Sequence, residues 1–344
     1  MSPVHFIAPL HGLRGLAALT VLVGHFRGMT GIPEWRLAPS LGVVLFFVLS
    51  GFLMARLYLG KRPTAREVEN YVVARFARVY PLFASVILAT CVLYFMTGST
   101  PFGIQLGDFI PHLLLAGAGG TVWTISVEFQ FYAAFVLMWV CIAALPKWRD
   151  EAVLAVTLAS ICIVLLFGYP QGRIDFLRYA HVFAIGMSAA VLLDRYGPAV
   201  RRFAPYLLPV SLIYYIAAFF LIPNFYDQNQ VYGDIAACLA CAILVLFASC
   251  ASSEEYVARF LSTRVMVMMG ELSFGIYLLH RMVNFVWKGI DPFGLGGLSK
   301  WVVIFLLTIF VSWVANRLIE VPARAAIRRW HRNLRGRSVE SALG

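Results

Sequence analysis

The chain has 344 residues, of which 61% are hydrophobic and only 13% charged, and its mean hydropathy is +0.80. A soluble domain carries about 25% charged residues, so this composition excludes an ordinary soluble globular protein and points to a polytopic membrane protein. The formal net charge of +11 is distributed in a way that reads as membrane topology and argues against a nucleic-acid partner.

Ten apolar segments have spanning length or close to it: 10–28, 39–59, 80–97, 122–145, 151–168, 175–194, 206–222, 233–251, 268–288 and 300–320. Loops after even-numbered segments, with the C-terminal tail, hold Lys61, Arg62, Arg66, Arg75, Arg78, Lys147, Arg149, Arg195, Arg201, Arg202, Arg259, Arg264 and seven arginines from Arg317 to Arg337, 19 in all. The opposite side holds Arg27, Arg36, Arg173, Arg178, Lys288 and Lys300, six in all. The positive-inside rule then places both termini in the cytoplasm. Residues 105–118 are apolar but 14 long, too short to span. A crossing there would invert every later loop and abolish the charge asymmetry, so a re-entrant or interfacial segment is expected. No basic stretch precedes the first segment and no small-residue cleavage site follows it, so the first segment is expected to be retained.

The first segment carries Arg14 and His25, eleven residues apart. At 100° per residue this is about 20° past three turns, so a helix presents both on one face, roughly 16 Å apart. A cation and an imidazole at two depths of a membrane helix are costly unless a polar interior uses them. Taken singly, Arg14 reads as a snorkelling anchor and His25 as an interfacial histidine. Their shared face suggests a phosphate anchor and a general base.

In the second segment, the small residues of Phe46-Phe47-Val48-Leu49-Ser50-Gly51-Phe52 permit close helix approach; Ser50 alone is weak evidence for a nucleophile. Arg75 and Arg78 enter the third segment at i, i+3, just before Tyr80-Pro81. Guanidinium forks match phosphate oxygens, and with Arg14 on the same side three arginines are placed to meet a polyanion. Trp123-Thr124-Ile125-Ser126-Val127-Glu128 opens the fourth segment, where Glu128 can orient the His25 imidazole, bind a sugar hydroxyl or form a structural ion pair. In the ninth, Ser273 and His280 stand seven apart with Tyr277 between them, so they share a face; His280 can line an acceptor cavity or simply pack. Glu320-Val321-Pro322 closes the tenth, and Glu320 is expected to pair with one of the arginines at that face, Arg14 and Arg75 among them. The basic tail suits a surface helix on anionic headgroups. All six cysteines lie in apolar segments, where packing explains them better than metal or redox chemistry, Cys238 and Cys241 included.

These pieces, in this order, resemble the acyltransferase-3 family of integral membrane O-acyltransferases. The matching residues are Leu13-Arg14-Gly15-Leu16-Ala17-Ala18 with His25; Phe46 to Phe52; Arg75-x-x-Arg78 with Tyr80-Pro81; Trp123-x-x-Ser126-x-Glu128-x-x-x-Tyr132; Ser273-x-Gly275-Ile276-Tyr277-Leu278-x-His280; and Glu320-x-Pro322. They cover residues 10–322. The resemblance implies an all-α integral membrane protein of about ten transmembrane helices around a polar central cavity. The acyltransferase domain would be 1–322, with a basic cytoplasmic tail at 323–344. The donor implied is cytoplasmic acetyl-CoA or another short acyl-CoA, without a metal. The implied acceptor is a hydroxyl of a glycan, glycolipid or lipid-linked sugar, in a bacterial inner membrane. Some members add an esterase-like extracytoplasmic domain. None is apparent in this sequence, so the membrane domain, alone or with a partner, is expected to complete the transfer.

On this reading Arg75, Arg78 and Arg14 hold the nucleotide phosphates and the pantetheine arm reaches toward His25, which takes the acceptor proton while Glu128 orients the imidazole or the sugar. An acyl-histidine intermediate is the competing mechanism. Trp123, Tyr132, Ser273, Tyr277 and His280 are placed to contact substrate, and Trp123, Tyr132 or Tyr277 to donate to the oxyanion. A different class also fits buried His, Glu and Arg on ten spans: a proton-coupled transporter or flippase. The lack of an inverted repeat and the clustering of the basic pairs on one side argue against it.

Overall fold

The computed structural model describes residues 7–25, 38–117, 119–168, 176–221, 230–252, 254–290 and 294–340, with side chains to Arg335 in the last stretch. Twelve α-helices and no strand occur among them: α1 (Ala8–His25), α2 (Pro39–Tyr58), α3 (Ala65–Thr97), α4 (Phe109–Leu113), α5 (Trp123–Ala143), α6 (Arg149–Phe167), α7 (Ala180–Leu221), α8 (Ile235–Ala248), α9 (Tyr256–Leu261), α10 (Arg264–Ile290), α11 (Gly297–Ala315) and α12 (Val321–Glu340). Among the described residues six apolar helical stretches are long enough to cross a membrane: Pro39–Tyr58, Ala65–Thr97, Trp123–Ala143, Pro146–Phe167, Ala180–Leu221 and Gly297–Arg335. Large apolar side chains such as Leu137, Leu158, Leu165, Phe167, Ile213, Leu306 and Phe310 are exposed on several of these helices. Water would not tolerate so much apolar surface, and lipid does.

Helices lie over all ten predicted segments, with α7 covering two. Tyr196 leaves the helical region (φ −122°, ψ 24°) immediately before Gly197-Pro198 and kinks α7. Of the predicted 105–118 segment, the described residues 105–117 form one 3₁₀ turn and the five-residue α4, far too short to cross. α1 and α10 are less apolar over a spanning length than these six because they carry His11, Arg14 and His25, and Glu271, Ser273, His280 and Arg281. These two helices hold five of the ten predicted site residues.

Local chemistry sets the ends of α3. Thr64 accepts from the Glu67 N–H at 3.3 Å, and Gly98 closes the helix at φ +70°. Pro81 cannot donate to the Ala77 carbonyl, so the ladder loosens beside Arg78. At the other end of the chain, the tenth segment does not stop at Pro322. A π turn, Asn316–Glu320, lets the Val321 N–H reach the Asn316 carbonyl, and the helix runs on into α12. A proline in the first turn of α12 lacks only a donor that the widened turn does not need.

Glycine contacts fix the helix pairs. A Cβ on Gly51 of α2 would sit 2.0 Å from the Phe183 carbonyl oxygen of α7, and one on Gly186 of α7 would sit 2.1 Å from the Val48 oxygen. The two backbones therefore touch, as small residues allow in membranes. Gly51→Ala must push α2 off α7; it is expected to cost about 1–3 kcal/mol or more, read as a lower melting temperature in detergent. α1 and α10 meet in the same way: a Cβ on Gly270 would lie 2.0 Å from the His11 oxygen. That contact sets the register of Arg14 and His25 against Ser273 and His280.

Candidate active site

α1, α2, α3, α5 and α10 surround a narrow cleft with about 70 Å³ of free interior volume. Arg14, Arg75, Arg78, Glu128, Tyr132, Ser273 and Tyr277 line it, joined by Phe46, Ser50, Thr124 and Phe274. Seven of the ten predicted site residues therefore meet in one cavity.

The arginines face it with their donors largely unmet. Arg14 Nη2 donates to Ser273 Oγ at 3.4 Å. None of Arg14, Arg75 and Arg78 forms an ion pair with a described carboxylate. Arg75 Nε is buried without a hydrogen-bond partner, and its guanidinium lies 6.0 Å from the Tyr132 ring centroid. The one acid in the lining, Glu128, accepts from Ser50 Oγ at 3.2 Å and from the Tyr132 hydroxyl, both on Oε1. Three cations against one anion leave a surplus of two charges in a largely apolar wall. Such a site is built for a multiply charged anion.

Glu128 therefore holds Ser50 and Tyr132, and its described hydrogen bonds reach no imidazole. The Tyr277 hydroxyl is likewise engaged, donating to the Thr121 carbonyl at 2.9 Å and accepting from Thr124 Oγ1 at 2.9 Å. Both tyrosines predicted as oxyanion donors already donate within the protein. Tyr277→Phe removes two bonds that tie α10 to the start of α5. A loss of about 1–3 kcal/mol is expected, measured as a fall in melting temperature with the cleft arginines untouched.

Trp123 lies outside the cleft lining. It stacks on Tyr179 at 5.0 Å and meets Phe47 and Tyr232 edge-on, only 5% exposed, because the first turn of α5 faces α2 and α7 at this point. His25 and His280 also lie outside the lining, beyond its Tyr277 end. Their rings face each other, centroids 4.8 Å apart, and the His280 ring is 6.1 Å from that of Tyr277. His25 is exposed at the last turn of α1, whereas His280 is fully buried. Their tautomers follow from their partners. His25 Nδ1 is 2.9 Å from the Val21 carbonyl and His280 Nδ1 is 2.7 Å from the Tyr277 carbonyl. A carbonyl only accepts, so each Nδ1 carries the hydrogen, and each neutral ring has its lone pair on Nε2.

The site thus has an arginine end and an imidazole end joined along α10. Ser273 and His280 are roughly 10 Å apart along that helix, and Arg14 and His25 roughly 16 Å along α1. Sequence reasoning missed Thr124 and Phe274 as lining residues and the pairing of Ser50 with Glu128. Glu320 pairs with an arginine of its own face, as expected; the partner is Arg324, 3.7 Å away and one turn on, and no described ion pair joins it to Arg14 or Arg75. Among the described residues no three His, Cys, Asp or Glu side chains gather as a metal site requires.

The acyltransferase domain family model matches residues 7–317. The chain belongs to the acyltransferase-3 family. It is 21% identical over 352 aligned positions to the peptidoglycan O-acetyltransferase OatA of Listeria monocytogenes, covering 93% of this chain and 56% of that protein. It is 26% identical over 325 positions to the acyltransferase MdmB of Streptomyces mycarofaciens, covering 80% and 78%. The chain therefore spans just over half the length of the Listeria relative. No solved structure matches it. Family membership and the apolar helices together make this an integral membrane acyltransferase-3 protein.

Proposed function

We propose that the protein is an O-acyltransferase that takes acetyl or another short acyl group from cytoplasmic acyl-CoA. It passes the group to a hydroxyl of a glycan, glycolipid or lipid-linked sugar. The observation that carries the reading is the convergence of three arginines without carboxylate partners on one cleft, whose far end leads to two imidazoles. A nucleotide diphosphate supplies the charge that the arginines lack, and the pantetheine arm is long enough to bridge the roughly 10–16 Å between the two ends. On this reading the arginine end faces the cytoplasm, both termini are cytoplasmic, and ten segments cross a bacterial inner membrane.

At the imidazole end the acceptor hydroxyl gives its proton to His25 Nε2 as its oxygen attacks the thioester carbonyl carbon. The C–O bond forms, the C–S bond breaks, and the CoA thiolate leaves and takes the proton back from the imidazolium. His280, packed against His25, is a positioning residue for that ring. Glu128 is a positioning residue at the arginine end: it fixes Tyr132 and Ser50 and offsets part of the cationic surplus. Trp123 supports the wall from behind.

Release of CoA thiol from acetyl-CoA by the purified protein, with acetyl-CoA binding measured in parallel, tests the reading. Binding together with turnover supports it. A protein that neither binds nor consumes acetyl-CoA fails at the donor, and the transporter reading then leads.

A further inference from the structure

We propose that Arg324 and Arg328, in the first two turns of α12, form a second phosphate subsite beside the arginine end of the cleft. This subsite takes the 3′-phosphate of the donor's adenosine, while Arg14, Arg75 and Arg78 take the diphosphate. The inference rests on the acyl-CoA reading and sharpens it by separating two phosphate positions.

The π turn at Asn316–Glu320 carries the helix past the cleft and turns Glu320 inward. Its side chain is 3% exposed, and Oε1 lies 3.5 Å from where a Cβ on Gly275 would be, one residue beyond the cleft-lining Phe274. Arg324 Nη2 is 3.7 Å from Glu320 Oε2. The pair is incompletely satisfied: Glu320 Oε1 and Arg324 Nε are both buried with no hydrogen-bond partner. Arg78 of the cleft is within electrostatic reach of both residues, and Arg75 and Arg328 are within reach of Arg324.

The orientation of α12 points the same way. Arg324, Arg328, His331 and Arg335 are spaced 4, 3 and 4 and share one face. His331 Nε2 lies 2.7 Å from Glu69 Oε1, and Arg335 binds the other oxygen of Glu69. Glu69 belongs to α3, so this face is turned toward the helix that carries Arg75 and Arg78. Arg328 is exposed and makes no described ion pair or hydrogen bond.

Arg14, Arg75, Arg78, Arg324 and Arg328 are five cations; Glu128 and Glu320 are two anions; 5 − 2 leaves a surplus of three. A diphosphate alone brings about two negative charges and leaves the cluster cationic. A 3′-phosphomonoester adds about one and a half to two, at a distance set by the ribose. Coenzyme A carries both groups, and two sets of arginines on two helices match that division.

The test compares Kd for acetyl-CoA and for 3′-dephospho-acetyl-CoA on the detergent-purified chain: wild type, Arg324→Ala/Arg328→Ala, Arg328→Glu and Arg329→Glu. Wild type is expected to favour acetyl-CoA by about tenfold or more, as one or two charge-assisted bonds provide. Arg324→Ala/Arg328→Ala and Arg328→Glu bring the ratio near one while leaving dephospho-acetyl-CoA binding close to wild type. Arg329→Glu, on another face, keeps the ratio. Arg324→Ala strips Glu320 of its partner and can unfold the chain; Arg328→Glu orphans no carboxylate and carries the test alone. A wild type that binds both nucleotides equally overturns the subsite, as does Arg328→Glu with an unchanged ratio. If Arg328→Glu instead lowers only retention on phosphatidylglycerol vesicles, the arginines serve a lipid headgroup and the proposal is wrong. A wild type that binds neither nucleotide removes the acyl-CoA reading itself, a result distinct from equal binding.

Discussion

His25→Ala is expected to bind acetyl-CoA within about twofold of wild type and to release CoA thiol about 100- to 10,000-fold more slowly, the range that one general base supplies. The argument is geometric. The Nδ1–H of His25 is held by the Val21 carbonyl of its own helix, so the basic nitrogen is Nε2. The ring is exposed at the end of α1, against the buried His280. It lies beyond the Tyr277 end of the cleft, away from the arginines, so its removal should spare donor binding. Added imidazole should restore part of the rate if His25 is a base, because a diffusible base can enter at an exposed position. An acyl-histidine mechanism predicts instead a labelled acyl-enzyme on rapid quench of wild type with radiolabelled acetyl-CoA. Loss of acetyl-CoA binding in His25→Ala would contradict the division into a donor end and a base end.

What the sequence made legible was mostly periodic or local. Apolar runs located the helices, although α3 begins at Ala65, well before the apolar segment at 80–97, because its first half is polar. The eleven-residue spacing put Arg14 and His25 on a face that does meet α10, at Ser273 and His280. What stayed hidden was tertiary. Nothing in a linear pattern says that Ser50 will reach Glu128, 78 residues away, or that His25 and His280 will pack ring to ring. Depth along a span was a poor guide to partnership: Glu128 looked level with His25, yet two hydroxyls hold its carboxylate in the arginine cleft. Trp123, expected to contact substrate or donate to the oxyanion, packs its ring on Phe47 and Tyr179, a placement no linear pattern announces. The Glu320–Arg324 pair was readable from i, i+4 spacing alone. The partner stays open among the arginines of that face as long as Pro322 is read as the end of the helix, because Arg324 then lies outside it. The π turn that carries the chain past that proline has no clear signature in residue types.

Arg75→Ala/Arg78→Ala should weaken acetyl-CoA binding by at least about 100-fold, each guanidinium contributing about 1.5–3 kcal/mol through bonds to a charged acceptor. Neither arginine forms a described ion pair with a carboxylate, so the double truncation breaks no salt bridge and should lower the affinity far more than the melting temperature. That separates a binding role from a structural one. Were the pair a topology signal or a fold element, the variant would express poorly or melt early while its folded fraction bound acetyl-CoA normally. Arg75→Lys/Arg78→Lys adds a second readout. It keeps both charges but replaces two planar forks with point charges, so an intermediate Kd means that fork geometry matters. An affinity equal to wild type would mean that only the field matters. Calorimetric titration of each protein with acetyl-CoA, at two ionic strengths, provides both numbers. A charge-dominated site loses more affinity at high salt, and the loss should shrink in the alanine variant, which has less charge to screen. Unchanged binding in the alanine variant would remove these residues from the donor site and leave Arg14 as the only cation of the cleft lining to hold a phosphate.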